Sequence, residues 1–539
     1  MKEYIRNLLE KAMAGLKTQE NWGDFDFPGI EVDYPKNEAF GDYTTNVAMV
    51  LAKLVKKNPM EIAESVKNEI QKTENEKIEK IEVAVPGHIN FYLSKEYLQG
   101  IVAKINAEKE NFGNSEMGKS KKIQVEFISC NPTGPVHLGN GRGGPIGDAL
   151  SNVLQKTGHK VTREFYVNDF GNQVEILGHS ILGDELKQYR GDYIDELAKK
   201  RDSQINDPMK IGNWAANVIL DEFIKPTCEK AGVHFDVWFS EKNLHGNNEV
   251  KSIITFLEDR GLIYEKDGAV WYKSTDLGDD KDRVLKKTDG KTTYLANDLA
   301  YHKNKVERGF DKIINIQGAD HHKEAEVVKN FVEKVLGEEG KIDYILSQIV
   351  RIIKDGQEVK MSKRKGVYFA LDDLIDEVGR DAVRFIFTSY APTSHINFDI
   401  NLAKERSEKN PVFYVQYAHA RISSILRKSQ FPNPNFQTQN SKDKADLSLL
   451  TQEKELALIK KLNKFPELIE EVSKSYEVHK LPFYAISLAD SFHSFYNDLK
   501  VLDSENLEVS AARLKLVKAV KIVLAETLRL IGVGAPDKM

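Results

Sequence analysis

VEFISCNPTGPVHLGNGRGGPIGDAL, residues 125–150, is the stretch of the sequence that decides the fold. A strand of the buried type begins at Ile123 and runs into a loop rich in Gly and Pro, and a helix follows from about Ile146 to Lys156. The strand-like residues 160–167 come next, and this order is typical of a βαβ unit with parallel strands. Because ligands bind at the carboxyl ends of the strands in open parallel sheets, we expect a binding site at the loop.

The patterns on either side of this unit predict three domains. Residues 1–115 mix strand patterns with helical ones, such as 43–54, and are typical of a small α+β domain. Residues 116–405 predict a Rossmann-like parallel-sheet domain, in which the charged helices and the hairpin pattern of about 175–290 form an insertion. Helical periodicity dominates residues 406–539 and predicts an α-helical bundle. We therefore predict a multidomain α/β protein.

Composition and charge exclude several classes of protein. The 539 residues are 41% hydrophobic and 29% charged, which is too apolar for a disordered chain. The two cysteines, Cys130 and Cys228, cannot build a Cys-rich zinc site and are typical of a reducing compartment. Neither a secretory signal nor an apolar run of membrane-spanning length is present, so we expect a cytoplasmic protein without a membrane partner. Residues 1–115 carry 15 basic and 19 acidic side chains and residues 406–539 carry 20 and 16, which makes the C-terminal domain the better candidate for a polyanion.

The loop after the first strand has the composition of a phosphate site. A Gly-rich loop ahead of a helix presents backbone N–H groups and a helix N-terminus to an anion. His137 and Asn140 lie three residues apart, so both side chains can donate to one phosphoryl oxygen and stabilise the charge that develops there. A tight glycine turn capped by His137 is the structural alternative.

A dinucleotide site is a second alternative for the same loop. Gly139, Gly141 and Gly144 satisfy G-x-G-x-x-G, and Glu164 on the next strand could hold a ribose. In that fingerprint the glycines follow the strand directly, whereas here about nine loop residues intervene. The spacing therefore disfavours a nicotinamide enzyme.

A basic segment, IIKDGQEVKMSKRKG, occupies residues 352–366. Its lysines and its arginine are opposed only by Asp355 and Glu358, and such a cluster suits a triphosphate from which pyrophosphate leaves. A charged run taken alone is more often a solvated loop. Its combination with the Gly-rich loop favours the functional interpretation.

HLGN after the first strand and KMSKR after the last strand of a split α/β domain resemble the two signatures of class I aminoacyl-tRNA synthetases. The resemblance narrows to the bacterial arginyl-tRNA synthetases. The blocks that carry it are VEFISCNPTGPVHLGNGRGG, TREFYVNDFGNQ, GDDKDRVL, TYLANDLAYHKNK, GADHH, FDINLAKERSEKNPVFYVQYAHARI and the terminal GAPDKM. With FGDYTTNVA at residues 40–48, they span nearly the whole chain.

The resemblance implies an ATP-dependent ligase that converts L-arginine to arginyl-adenylate and transfers arginine to the 3′-terminal adenosine of tRNA(Arg). It implies Mg²⁺ that arrives with ATP, and a monomer. The residues that match the family's ATP site are His137, Gly139, Asn140, Asp320, His321, Met361, Ser362 and Lys363. Of these, His137, Asn140 and Lys363, with Lys360 in support, are implied to act in adenylate formation.

Asn140 departs from the family pattern, which usually has His at this position. An Asn amide still donates a hydrogen bond but carries no charge. The contribution of this position to catalysis is therefore in question, whereas KMSK is intact.

A site for arginine can be proposed from three residues. A guanidinium group is a planar fork of donors that carboxylates and an aromatic face hold well. Tyr294 and Asp298 stand at i and i+4, on one face if the segment is helical, and Glu126 leaves the first strand beside the loop. The resemblance implies that these three bind the guanidinium, whereas the residues that match the amino-acid or phosphate end are Ser129, Asn131 and His137. The alternatives are a solvated Glu and an ordinary Tyr/Asp pair on a helix surface.

Asp320, His321 and His322 follow the strand-like residues 311–318, and such a cluster can hold a metal. The resemblance instead implies contacts near the adenosine, and a helix N-cap at Asp320 is the structural alternative. We expect no metal bound by protein side chains.

Tyr414, Tyr417 and Arg421 share one helical face of the C-terminal domain. Aromatic rings and Arg stack on unpaired RNA bases, although an aromatic stripe is more often core. By resemblance, the C-terminal domain binds the anticodon region of tRNA and the N-terminal domain contacts the tRNA elbow.

Two further classes of function are possible. An inactive synthetase-like protein would bind tRNA without turnover, but the intact KMSK and the complete pocket set disfavour it. A free-standing adenylating enzyme would ignore tRNA, and the two terminal domains would then have no role.

Overall fold

The computed structural model describes residues 1–20, 22, 25–27, 29–359, 369–429 and 445–539. The described residues of the N-terminal part form four α-helices and three strands. They are α1 (Lys2–Gln19), β1 (Tyr43–Thr45), α2 (Val47–Val55), α3 (Pro59–Gln71), β2 (Ile78–Ala84), β3 (His88–Leu93) and α4 (Lys95–Glu108). The strands form an antiparallel sheet in the order β1-β3-β2, so the predicted α+β character is confirmed.

The expected helix over residues 43–54 is wrong at its start. Tyr43–Thr45 is strand β1, which pairs with Ile89 to Phe91 of β3, and helix α2 begins only at Val47. Aromatic and β-branched residues favour strands where an edge is available for pairing. The periodicity of residues 43–54 is a local property, so it could not predict that residues 43–45 pair with the distant strand β3.

The central part of the chain holds most of the elements. Its strands are β4 (Lys122–Glu126), β5 (Lys160–Val167), β6 (Val237–Ser240), β7 (Ile263–Lys266), β8 (Ala269–Tyr272), β9 (Arg283–Lys286), β10 (Lys312–Gly318), β11 (Ile342–Ser347), β12 (Val350–Lys354), β13 (Gln357–Glu358) and β14 (Ile396–Asp399). Its helices are α5 (Leu138–Gly141), α6 (Gly143–Lys156), α7 (Asn172–Leu182), α8 (Asp192–Lys200), α9 (Pro208–Ile219), α10 (Lys225–Lys230), α11 (Glu241–Gly246), α12 (Glu249–Glu258), α13 (Tyr294–Glu307), α14 (His322–Asn330), α15 (Leu371–Val378), α16 (Arg380–Thr388) and α17 (Ile400–Lys404). Five strands form a parallel sheet in the order β11-β10-β4-β5-β6, which confirms the Rossmann-like prediction.

Strand β4 lies at the centre of this sheet and leads into the Gly-rich loop. Ile123 to Glu126 are all buried, as expected for a parallel strand covered on both faces. Helix α6 passes so close to the end of β4 that a Cβ atom at Gly147 would lie 2.3 Å from Cγ of Phe127. The absence of a side chain at this glycine therefore fixes how closely the helix packs on the sheet.

The interval 175–290, which the sequence suggests to be an insertion, also contributes to the main sheet. Strand β6 lies within it and pairs in parallel with β5, from Glu164↔Val237 to Val167↔Ser240. The hairpin pattern is confirmed as part of a separate antiparallel sheet of β7, β8 and β9. Strand β6 has only four residues, and a strand pattern of this length is hard to recognise in a sequence between charged helices.

The C-terminal part is helical, as predicted. Its helices are α18 (Pro411–Lys428), α19 (Glu453–Asn463), α20 (Phe465–Ser475), α21 (Lys480–Asp498) and α22 (Leu507–Leu530). Helices α18, α19 and α4 all pack against α22. Because α4 belongs to the N-terminal part, the C-terminal core is continuous with that part. Glu467 on α20 accepts hydrogen bonds from the Lys2 N–H at 2.8 Å and from the hydroxyl groups of Tyr34 and Tyr43.

Candidate functional site

Three carboxylates interact electrostatically near the carboxyl ends of the parallel strands. Glu126 ends β4, Glu241 follows β6, and Asp298 lies on α13. Glu126 is 5% exposed and Glu241 1%, and both interact electrostatically with Asp298. We call Glu126, Glu241 and Asp298 the acidic pocket.

Helix α13 brings its polar residues to this site because of their spacing. Tyr294, Asp298, Tyr301 and Lys305 recur at intervals of three and four residues, which places them on one face of the helix. The predicted helix over TYLANDLAYH is thus confirmed, and Tyr294 and Asp298 share a face. Tyr294 is half exposed, at 54%, at the opening of the pocket, and its hydroxyl is hydrogen-bonded to Gln173.

The electrostatics of the pocket favour a cation. Burial raises the pKa of Asp298 to about 8, with Glu241 and Glu126 adding to the increase and Lys305 opposing it. Among the residues that the structure describes, neither Lys nor Arg forms an ion pair with Asp298 or Glu241. A positively charged ligand would relieve this repulsion between carboxylates.

Further acceptors without partners surround the pocket. Oδ1 of Asn297 and Oε1 of Gln173 are buried and have no hydrogen-bond partner within the described part of the chain. Asn297 donates through Nδ2 to Glu241, which fixes the orientation of its amide. A ligand with several hydrogen-bond donors would satisfy both oxygens.

Glu126 differs from the expectation in having an internal partner. The ammonium of Lys305, which is fully buried, forms an ion pair with Oε2 of Glu126 and a hydrogen bond of 2.8 Å with Oδ1 of Asn315. One carboxylate oxygen of Glu126 is therefore occupied by its ion pair with Lys305. The predicted solvated strand-edge Glu, the alternative considered above, is wrong.

Sequence reasoning missed Glu241, Gln173 and Lys305. Glu241 directly follows the strand VWFS, so a carboxylate at a strand's carboxyl end was a signal that could have found it. Gln173 belongs to the VNDFGNQ block, and Lys305 continues the i, i+4 series of α13. Apart from these positions, the sequence around the three residues contains no motif that marks them as site residues.

The Gly-rich loop turns sharply out of the sheet. Ile128 and Ser129 adopt left-handed φ angles of 68° and 40°, a conformation that side chains rarely take and that is concentrated at functional sites. The Ser129 hydroxyl accepts a hydrogen bond from the Tyr166 N–H at 3.1 Å. Asn131 is partly exposed two residues further along the loop.

His137 caps the short helix α5. Its Nδ1 accepts a hydrogen bond from the Gly139 N–H at 3.0 Å, so the neutral ring carries its proton on Nε2. Asn140 is exposed and donates from Nδ2 to the Ile128 carbonyl at 3.2 Å. The capping role of His137 and its predicted role as a donor are compatible, because they use different ring nitrogens.

The dinucleotide alternative fails at Glu164. This carboxylate is fully buried and accepts hydrogen bonds from Tyr301 at 2.6 Å and from Arg308 at 2.6 and 2.8 Å. Glu164 therefore forms a buried ion pair with Arg308 and is not available to bind a ribose.

The remaining predicted ATP residues divide into two groups. Lys360, Met361, Ser362 and Lys363 lie outside the described residues. Asp320 and His321 form an exposed turn at the carboxyl end of β10, on the same edge of the sheet as the acidic pocket. Ala370, the second described residue after the gap, forms an isolated antiparallel bridge with His137.

The predicted RNA-contacting residues of α18 are partly packed and partly exposed. Tyr414 donates to Asp490 at 2.7 Å and packs against the bundle core. Tyr417 is exposed, and the guanidinium of Arg421 donates to its hydroxyl at 2.8 Å. The face therefore presents one aromatic ring and one cation to solvent.

The described residues contain neither a cluster suited to a metal ion nor a helix suited to span a membrane. No group of three or more His, Cys, Asp or Glu side chains there has an arrangement that could hold a metal ion. None of the helices in that part of the chain is both long and apolar enough to cross a membrane.

Comparison with protein families matches three models along the chain. The model described as arginyl tRNA synthetase N terminal domain matches residues 1–93. The model described as tRNA synthetases class I (R), catalytic domain, matches residues 101–391. The DALR anticodon binding domain matches residues 415–539.

Curated proteins and solved structures agree with these matches. The arginine–tRNA ligase of Bacillus velezensis is 41% identical over 564 residues, which cover 100% of this chain and 99% of that protein. The arginine–tRNA ligase of Listeria monocytogenes is 41% identical over 562 residues, which cover 100% of both. The arginyl-tRNA synthetase structure from Thermus thermophilus has a TM-score of 0.76 and 20% identity over 100% of both chains, which shows a shared fold.

Proposed function

The chain belongs to the arginyl-tRNA synthetase family, and we propose that its acidic pocket selects the L-arginine that it joins to tRNA(Arg). The reaction has two steps. The carboxylate of arginine attacks the α-phosphate of ATP, which forms arginyl-adenylate and releases pyrophosphate. A hydroxyl of the terminal adenosine of tRNA then attacks the arginyl carbonyl carbon, which forms the ester and releases AMP.

The observation that carries this proposal is the charge of the pocket. Three carboxylates interact electrostatically at the edge of the parallel sheet, and two of them have no Lys or Arg partner among the described residues. A guanidinium group carries five donors and a permanent positive charge, so it can satisfy Asp298, Glu241 and the unpaired Asn297 and Gln173 oxygens together. Tyr294 at the opening supplies the aromatic face.

The other end of the substrate would lie toward the Gly-rich loop. Ser129, Asn131 and His137 are proposed to hold the α-amino and carboxylate end or the phosphate, whereas the second oxygen of Glu126 is proposed to bind the guanidinium together with Asp298. His137 is proposed to donate from Nε2 to a phosphoryl oxygen, since its Nδ1 already accepts from Gly139. Placing the two reactants in line and stabilising the developing charge supply most of the acceleration, because no covalent enzyme intermediate is required.

ATP is proposed to bind between this loop and the basic segment. By family resemblance, the residues concerned are His137, Gly139, Asn140, Asp320, His321, Lys360, Met361, Ser362 and Lys363. Mg²⁺ is proposed to arrive on the phosphates of ATP. The hydrogen bond from Asn140 to the Ile128 carbonyl can orient the loop, which is a structural role that requires no charge.

The C-terminal bundle is proposed to bind the anticodon region of tRNA, with Tyr417 and Arg421 at the surface and Tyr414 supporting them. The match to the DALR anticodon binding domain supports this assignment. We also propose a cytoplasmic monomer, for which sedimentation should give a single species near the chain mass of 61.1 kDa.

Charging of total bacterial tRNA with each labelled amino acid in turn, with ATP and Mg²⁺, tests the function. Only arginine should enter a product that precipitates in acid and is labile in base. Charging with another amino acid, or tRNA binding without charging of any, would contradict the proposal.

A further inference from the structure

Lys305 is a buried cation beneath the acidic pocket. Its side chain is 0% exposed, its ammonium pairs with Glu126 and Asn315, and it lies 4.3 Å from the centre of the Tyr301 ring. Burial of an ammonium group is costly unless it is paired and hydrogen-bonded. Such a residue at a substrate site needs a reason beyond packing.

A chain of hydrogen bonds links Lys305 back to Asp298. Asn315 donates from Nδ2 to Nε2 of His302 at 2.8 Å, and Nδ1 of His302 contacts the Asp298 carbonyl at 2.8 Å. His302 is therefore neutral, with its proton on Nδ1, which agrees with a pKa that burial lowers well below the usual range. The chain joins the backbone of one pocket carboxylate to the side chain of another.

Two ion pairs, Lys305 with Glu126 and Arg308 with Glu164, lie among the charged groups around Glu126. From α13, Asp298 and Lys305 face it, and from β5 the nearest carboxylate is Glu164. Arg308 already pairs with Glu164, so Lys305 is the cation that remains for Glu126. The neutral groups nearby are Tyr301 of α13, Asn315 of β10 and Tyr344 of β11, none of which supplies charge.

The charge that remains is opposite in sign to that of the substrate. With three carboxylates and one ammonium, the pocket has two uncompensated negative charges when all four groups are ionised. Arginine carries a guanidinium, an α-ammonium and an α-carboxylate, so its net charge is +1. Without Lys305, a third negative charge would be buried with no partner.

We infer that Lys305 is a positioning residue for the arginine site, which acts through Glu126 by holding one oxygen of this carboxylate in an ion pair and leaving the other oxygen for the substrate. This inference rests on the proposed function of the pocket. Lys305 itself does not touch arginine.

The main test is Lys305→Met in the full-length protein, assayed by charging of tRNA with arginine. The KM for arginine should rise about 30-fold or more, because a buried charge loses its partner, and the KM for ATP should stay within about threefold. A merely structural loss would lower kcat and leave the KM for arginine unchanged.

Lys156→Met is the matched control for loss of a buried lysine. Lys156 is also almost fully buried and pairs with Glu526 at 2.9 Å, but this pair joins α6 to α22 away from the pocket. The control should leave the KM for arginine within about threefold of the wild type.

A double variant shows whether Lys305 acts through Glu126. In the Glu126→Gln background, adding Lys305→Met should raise the arginine KM by less than about threefold, because the two effects are coupled. If Lys305→Met alone does not fold, the comparison of the double variant with Glu126→Gln still tests whether Lys305 acts through Glu126. A large further increase in that background, or an arginine KM unchanged in Lys305→Met, would overturn the inference. Failure of the wild type to charge arginine would instead overturn the proposed function.

Discussion

At the residue scale, Asp298 is the group whose ionisation should respond to the substrate. Its pKa of about 8, raised by burial and by Glu241 and Glu126, means that it is largely protonated at neutral pH in the free protein. A bound guanidinium favours the ionised form. Binding of arginine should therefore release a proton from this carboxyl group.

The sign of the pH dependence follows from this proton release. The KM for arginine should fall as the pH rises from about 6 to 8, by at most about tenfold per pH unit for a single proton, and should level off above about 8. Asp298→Asn should weaken arginine use and remove this pH dependence. Steady-state charging over the pH range gives the result, with the exposed Glu265→Gln as a control that keeps the wild-type profile.

The same slope in Asp298→Asn would assign the proton to another group. An arginine KM that rises with pH over this interval would contradict the direction of the linkage itself.

At the scale of elements, the packing of α6 on β4 positions the Gly-rich loop. Gly147→Ala would place a Cβ atom 2.3 Å from Phe127. We expect it to lower the free energy of unfolding by about 1–3 kcal/mol, because overpacking displaces the helix. Denaturant unfolding measures this change.

Gly100→Ala on α4 is the matched control, because a Cβ atom there meets nothing within 4 Å. It should be neutral or should stabilise the protein by up to about 1 kcal/mol, since Ala is the better helix former. Equal effects of the two substitutions would show that the contact with Phe127 does not limit the approach of α6.

The elements also show what the sequence could predict. The βαβ order at residues 123–167 and the shared face of Tyr294 and Asp298 could be predicted, since both follow from local periodicity. The interaction of Glu241 with Asp298 could not, because it depends on β6 joining the edge of the parallel sheet. The pairing of Glu126 with Lys305, 179 residues apart, likewise depends on where α13 crosses the sheet.

At the scale of the whole molecule, Arg384 joins the catalytic and C-terminal parts. It is fully buried, donates to Asp148 of α6 at 2.5 Å, and bonds to the carbonyl groups of Ala231, Gly232 and Ile531. The end of α22 is thereby tied to the helix that follows the Gly-rich loop.

Arg384→Met should lower the free energy of unfolding by about 3–5 kcal/mol, because Asp148 and three carbonyl groups lose their partner. Arg380→Met, one turn earlier on α16, removes a surface contact with Asp381 at 3.7 Å and should cost less than about 1 kcal/mol. Thermal and urea unfolding of both variants gives the comparison. A change in Arg384→Met no larger than in Arg380→Met would show that this joint contributes little.

The central claim is that carboxylates select a guanidinium for attachment to tRNA, and competition between arginine and citrulline tests it most directly. Citrulline has nearly the shape of arginine but carries a neutral urea group. In tRNA charging, the wild type should use arginine and discriminate against citrulline by about 10⁴-fold, because the buried carboxylates would lose their charged partner. Glu241→Gln should lower kcat/KM for arginine about 10- to 100-fold and narrow the discrimination. Comparable use of arginine and citrulline by the wild type, or discrimination unchanged in Glu241→Gln, would contradict the account.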